Sequence, residues 1–157
     1  MNQVVVKQEK SGYQIVEAYK SLRTNLQFCG EDKKVIAITS CTPNEGKSSV
    51  SMQLGISLAE IGKRVILIDA DLRKSVLLGR TKTEKSVRGL AHFLSGQASL
   101  EDVICATNIK NFYMIYSGPF PPNPAELLGS RQFKDMIRVV RDVYDYIIID
   151  TPPLGRV

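Results

Sequence analysis

Apolar and polar positions follow two periods along this chain. Short unbroken apolar runs read as buried strands over residues 34–39, 65–68, 112–116 and 146–149. Between them the apolar residues recur at helical spacing. Ile15, Tyr19, Leu22 and Leu26 predict a helix over 15–28, and Phe133, Met136, Ile137 and Val140 predict another over 131–143. A third helix over 47–61 closes at Gly62, a residue suited to the left-handed cap. Shorter helices are expected at 90–94 and 100–104, with a polar loop over 74–88. Gly118-Pro119-Phe120-Pro121-Pro122 breaks the chain after the third strand. Strand and helix alternate, so the expected class is α/β, a mostly parallel sheet flanked by helices in three layers. No internal repeat or low-complexity tract interrupts this order.

Three of the strands run into residues that carry chemistry. The first leads into Ser40-Cys41-Thr42-Pro43-Asn44-Glu45-Gly46-Lys47-Ser48-Ser49. A loop between a strand and a helix aims backbone N–H groups at an anion, and the helix dipole adds to the attraction. Gly46 lets the backbone approach a phosphate closely. Lys47 would reach the β- and γ-phosphates, and the Ser48 hydroxyl would bind Mg²⁺. The second strand ends in Asp69-Ala70-Asp71-Leu72-Arg73, and the last in Asp150-Thr151-Pro152-Pro153. These carboxylates would lie at the carboxyl edge of the sheet, where open α/β folds bind ligands. Mg²⁺ keeps waters and takes few protein carboxylates, which suits such a set. Each piece has a plainer reading: Gly-Lys-Ser is a common tripeptide, Cys41 stands where a strict phosphate loop has Gly, and Asp after a strand is often a turn residue. Their coincidence in this order points to a nucleoside triphosphate with its magnesium.

Composition narrows the setting. The 157 residues suffice for one domain with its own core. Hydrophobic residues make up 43% and charged residues 24%, close to globular averages. No apolar run approaches the ~20 residues of a membrane span. The N-terminus turns polar after Val4-Val5-Val6, with no signal-peptide pattern. Cys29, Cys41 and Cys105 form no CxxC and predict reduced, semi-buried thiols in a cytoplasmic protein. Net charge is +5, and Arg73, Lys74, Arg80, Lys82, Lys85 and Arg88 cluster. Such a cluster can attract anions or an anionic membrane leaflet, or simply line a solvated loop. No interleaved aromatics accompany it, which argues against nucleic acid.

The loop from Ser40 to Ser49, the stretch Leu67-Ile68-Asp69-Ala70-Asp71-Leu72-Arg73 and the stretch from Ile147 to Pro153 resemble the Walker A, A′ and B motifs of bacterial tyrosine kinases (BY-kinases) of capsular and exopolysaccharide operons. Pro121-Pro122-Asn123-Pro124-Ala125-Glu126-Leu127-Leu128 and Gly89-Leu90-Ala91-His92-Phe93-Leu94-Ser95-Gly96 resemble further family segments. The resemblance runs from about Glu17 to the end. It implies a P-loop NTPase fold and an ATP-dependent protein-tyrosine autokinase. Partitioning and septum-site ATPases share the fold, but carry a Lys at the position of Thr42. A positioning ATPase, or an inactive kinase fragment, is therefore the alternative.

The resemblance also implies roles. Pro43, Asn44, Glu45, Gly46, Lys47, Ser48, Ser49 and Arg73 would bind ATP. Ser48, Asp71 and Asp150 would hold Mg²⁺, the two carboxylates through waters. Asp69 is the candidate acceptor of the tyrosine proton, with the division of roles between Asp69 and Asp71 left open; Lys47 completes the catalytic set. A membrane-spanning activator would complete the site and hold the chain at the inner face of the plasma membrane. The stretch Glu17-Ala18-Tyr19-Lys20-Ser21-Leu22-Arg23 resembles the family's Glu-x-x-Arg-x-x-Arg segment for ring assembly, with Lys20 in place of the middle Arg. Lys keeps the charge and loses the bidentate fork. Equally, this is an ordinary amphipathic helix with a Glu17–Lys20 contact. Residues 1–30 are thus expected as an N-terminal segment with an oligomerisation helix, ahead of a single kinase domain.

The chain stops four residues past Pro153, where the resembled family continues into further strands, helices and a tyrosine cluster. The expectation is a fold incomplete at its C-terminal end, with Val35–Ile38 as an unpaired apolar edge.

Overall fold

The central strands β3 (Val65–Asp69) and β7 (Tyr146–Asp150) read as unbroken apolar runs because both of their faces are covered. Val65, Leu67 and Ile148 belong to one buried cluster, and Ile66, Ile68, Ile147 and Ile149 to another on the opposite face. In the computed structural model the described residues are 1–7, 12–39, 47–72, 77, 79, 81–82 and 86–152. They comprise β1 (Asn2–Val6), α1 (Tyr13–Phe28), β2 (Val35–Ile38), α2 (Lys47–Glu60), β3, β4 (Thr81–Lys82), α3 (Leu90–Leu94), α4 (Leu100–Val103), β5 (Cys105–Thr107), β6 (Phe112–Ile115), α5 (Pro124–Leu128), α6 (Arg131–Val143) and β7.

Among the described residues the strands form one seven-stranded sheet in the order β2-β7-β3-β6-β5-β1-β4. β2–β7, β7–β3, β3–β6 and β5–β1 pair in parallel; β6–β5 and β1–β4 pair antiparallel. The class is the α/β, mostly parallel arrangement that the strand–helix alternation predicts. Leu26 of α1 and the apolar side of α2 pack on one face of the sheet. Helices α3 to α6 supply Leu90, Leu94, Val103, Leu127, Met136 and Val140 to the other. Among the described residues no helix is long and apolar enough to cross a membrane.

Strand β2 lies at the edge of the sheet and pairs only with β7 among the described residues. Its Ile36 and Ile38 pack on the α2 side, while Val35 and Ala37 on the other side are exposed.

Several elements escaped the sequence pattern. β1 is the clearest, because Val4 and Val6 are buried while Val5 between them is exposed. Its partner β5 lies about a hundred residues away, so nothing local announces the pairing. β4 and β5, of two and three residues, are too short for periodicity to register. α5 begins with Pro124 in its first turn, a start signal that the proline-rich surroundings disguise. In α6, Met136 and Val140 are buried, and Phe133 and Ile137 pack beside them. In α1 the expected buried face is narrower: Tyr19 and Leu26 are half-buried, but Leu22 is exposed. The side chain of Ile15 lies outside the described residues. Cys105 is buried, and burial pushes its thiol up to about 11. Cys29 is exposed rather than semi-buried, because it follows the last turn of α1. Cys41 lies outside the described residues.

Helix α2 ends as expected at Gly62, whose φ is +86°. The Gly62 N–H donates to the Ala59 carbonyl at 3.0 Å and the Lys63 N–H to the Leu58 carbonyl at 3.2 Å. These are the two bonds of a Schellman cap. Within α2, Gly55 lies against Phe112: a Cβ there would stand 2.5 Å from the ring's Cε1. Phe112 is fully buried and has nowhere to retreat. Gly55→Ala is therefore expected to destabilise. An overpacking cost of about 1–3 kcal/mol outweighs the roughly 1 kcal/mol that Ala contributes to a helix. A lower denaturant midpoint at unchanged slope checks this; a raised midpoint would mean the contact yields.

Candidate active site

Parallel pairing of β3 with β7 sets Asp69 directly opposite Asp150 at the carboxyl ends of both strands. The Ala70 N–H donates to the Asp150 carbonyl at 2.9 Å, extending the ladder one step past the strands. Both carboxylates are about 1% exposed. Such burial needs partners, since an isolated buried carboxylate is strongly disfavoured.

The partners of Asp150 come from the first turn of α2. The Lys47 ammonium pairs with its Oδ1, with the Lys47 side chain 7% exposed. The Ser48 hydroxyl donates to its Oδ2 at 2.9 Å. One carboxylate thus gathers both loop side chains that the Gly-Lys-Ser motif singled out. The first turn of α2 carries no acidic residue, so the positive end of the helix dipole adds to the charge of Lys47. Ser49 is half-buried in the same turn.

The Asp71 N–H donates to Asp69 Oδ1 at 3.1 Å, folding the chain back at the end of β3. Asp71 is itself buried. Among the described residues no three His, Cys, Asp or Glu side chains converge as a metal cage. A cation at this edge would rely on the Ser48 hydroxyl, water and ligand oxygens beside a carboxylate, a set that fits Mg²⁺.

The structure therefore brings Lys47, Ser48 and Asp150 into contact, with Asp69 in register beside them and Asp71 tied to Asp69. Pro43, Asn44, Glu45, Gly46 and Arg73 lie outside the described residues. Of the basic cluster, Lys82 and Arg88 are described and exposed; Arg73, Lys74, Arg80 and Lys85 are not described.

Sequence reasoning passed over Thr151. Its N–H donates to the Ile38 carbonyl at 3.0 Å and its hydroxyl to the same carbonyl at 2.8 Å. Ile38 is the last residue of β2, so Thr151 ties the strand carrying Asp150 to the strand that enters the phosphate loop. The only signal was its place after Asp150, because the partner lies 113 residues away. Thr151→Val is expected to cost about 0.5–1.5 kcal/mol, one net hydrogen bond, with Thr151→Ser recovering it. Chemical denaturation of the three chains checks this; loss in Thr151→Ser with none in Thr151→Val would assign the effect to the methyl group.

Residues 33–157 match a family model described as an AAA domain. The tyrosine-protein kinase CpsD of Streptococcus agalactiae is 47% identical over 141 residues, covering 90% of this chain and 62% of CpsD. The crystal structure of the VpsO kinase domain superposes with a TM-score of 0.82 at 33% identity, covering 92% of this chain and 70% of that one. The chain belongs to the bacterial tyrosine kinase family. It spans about 62% of the length of CpsD. The septum site-determining protein MinD of Pyrococcus horikoshii, solved with Mg-ADP, is a further neighbour. It has a TM-score of 0.63 at 30% identity, over 76% of this chain and 49% of that one. The lower score over a smaller share sets MinD further from this chain than the VpsO kinase domain is, and both likenesses show the shared P-loop fold.

Proposed function

We propose that this chain transfers the γ-phosphoryl group of Mg·ATP to tyrosine hydroxyls, as the kinase of a capsular or exopolysaccharide pathway. The observation that carries the reading is the meeting of Lys47 and Ser48 on Asp150 beside Asp69, in a chain whose relative CpsD is named a tyrosine-protein kinase. Phosphoryl transfer asks little covalent work of a protein, so charge and positioning carry it. Lys47 supplies positive charge to the β- and γ-phosphates. Ser48 would hold Mg²⁺, with Asp71 and Asp150 acting through waters, and Pro43, Asn44, Glu45, Gly46, Lys47, Ser49 and Arg73 would bind the nucleotide. Mg²⁺ when bound neutralises charge on the phosphate oxygens. Asp69, buried in register beside Asp150, accepts the proton of the attacking tyrosine.

A membrane-spanning activator of the same operon would complete the site and hold the chain at the inner membrane face. A ring of subunits assembled through α1 belongs to the same reading. Within α1, Lys20 pairs with Glu17 at 3.5 Å, and Arg23 turns inward onto Ser57, donating to its carbonyl at 3.0 Å and its hydroxyl at 3.3 Å. Assembly through this helix would have to compete with those contacts.

Incubation with γ-labelled ATP, Mg²⁺ and a Glu–Tyr copolymer, with and without a peptide of the activator's tail, tests the reading. Phosphotyrosine on the copolymer supports it. Phosphate release without phosphotyrosine would replace it with a positioning ATPase.

A further inference from the structure

Five of the six tyrosines are tied into the fold. Tyr116, Tyr144 and Tyr146 are buried, and burial raises the pKa of each hydroxyl. The Tyr116 hydroxyl also meets that of Thr81. Tyr113 packs edge-on against Tyr144 with ring centroids 5.3 Å apart, and the Arg64 guanidinium lies over both rings. Tyr19 lines the crevice between α1 and α2. A tyrosine on or beside a strand of this sheet cannot reach a second molecule's phosphate site without unfolding its own core. Tyr13 differs from all of these. It opens the first turn of α1 and is 79% exposed. Long side chains on a helix lean toward its N-terminus, so this phenol projects past the start of α1.

We propose that Tyr13 is a phosphate acceptor for the kinase site of another copy of this chain. The inference rests on the kinase reading above. The bond between the γ-phosphorus of ATP and its bridging oxygen breaks, a new bond forms from that phosphorus to Tyr13 Oη, the phenolic proton passes to Asp69 of the donor copy, and ADP leaves. The local setting accepts the product. The first turn of α1 has no acidic residue and Gly12 supplies no side-chain cap, so added negative charge meets the positive end of the helix. Tyr13 precedes Glu17 by one helical turn and Lys20 by two, on one face.

The test mixes two variants of this chain with labelled Mg·ATP. Tyr13→Phe, with its site intact, is the donor; Lys47→Ala is the acceptor, with Asp69→Asn as a second acceptor should the first fold poorly. A Glu–Tyr copolymer in the same tube reports kinase activity independently of Tyr13. Label mapped by mass spectrometry to Tyr13 of the acceptor is the expected result, together with loss of most self-incorporated phosphate in Tyr13→Phe alone. A labelled copolymer with bare Tyr13 would overturn this proposal and leave the kinase reading standing. Label on another tyrosine of the acceptor, with Tyr13 bare, would do the same. No phosphotyrosine on either would overturn both.

Discussion

Lys47→Ala is expected to weaken Mg·ATP binding at least tenfold, about 1.4 kcal/mol, by removing a charge contact with the phosphates. The structure adds a second consequence. Lys47 is the cation paired with Asp150, which is buried and among the described side chains keeps the Ser48 hydroxyl once the lysine is gone. Removing one partner of a buried pair costs about 3–5 kcal/mol when the other stays charged. The variant should therefore melt earlier as well as bind more weakly. Calorimetry on folded protein, checked by circular dichroism, separates the two effects. Equal affinity in variant and parent would remove this loop from the nucleotide site.

Asp69→Asn is expected to keep nucleotide binding and lose phosphotyrosine formation by about 10²–10⁴-fold, the usual contribution of a positioned base. The substitution is nearly isosteric. Its amide oxygen can still accept the Asp71 N–H, so the turn after β3 should survive. The neutral amide cannot accept the tyrosine proton. The measurement needs a form of the protein with measurable transfer, with the activator peptide present. Undiminished transfer would move the base to another residue, with Asp71 the next candidate.

The main elements were legible in the sequence where one face or one period dominated. The apolar run before Asp69 marks a strand covered on both faces, and Met136 and Val140 mark the buried side of α6. β1 was not legible, because three valines cannot announce a partner strand at residues 105–107. The exposure of Leu22 was equally hidden, since helical spacing marks a face without saying how much of it a neighbour covers.

At the site, residue types and their places after strands determined the candidates: an ammonium and a hydroxyl at a helix start, and carboxylates at strand ends. Those are local properties, fixed by a few neighbouring residues. Which of them meet was decided by the tertiary structure. Lys47 and Asp150 stand 103 residues apart and touch because β2, β7 and β3 lie side by side in parallel, which brings the start of α2 to the carboxyl end of β7. The two hydrogen bonds that Thr151 donates to the Ile38 carbonyl and the exposure of Tyr13, where the other tyrosines are tied down, belong to the same level. They follow from which surfaces the sheet and its helices bury, and a linear pattern carries no record of that.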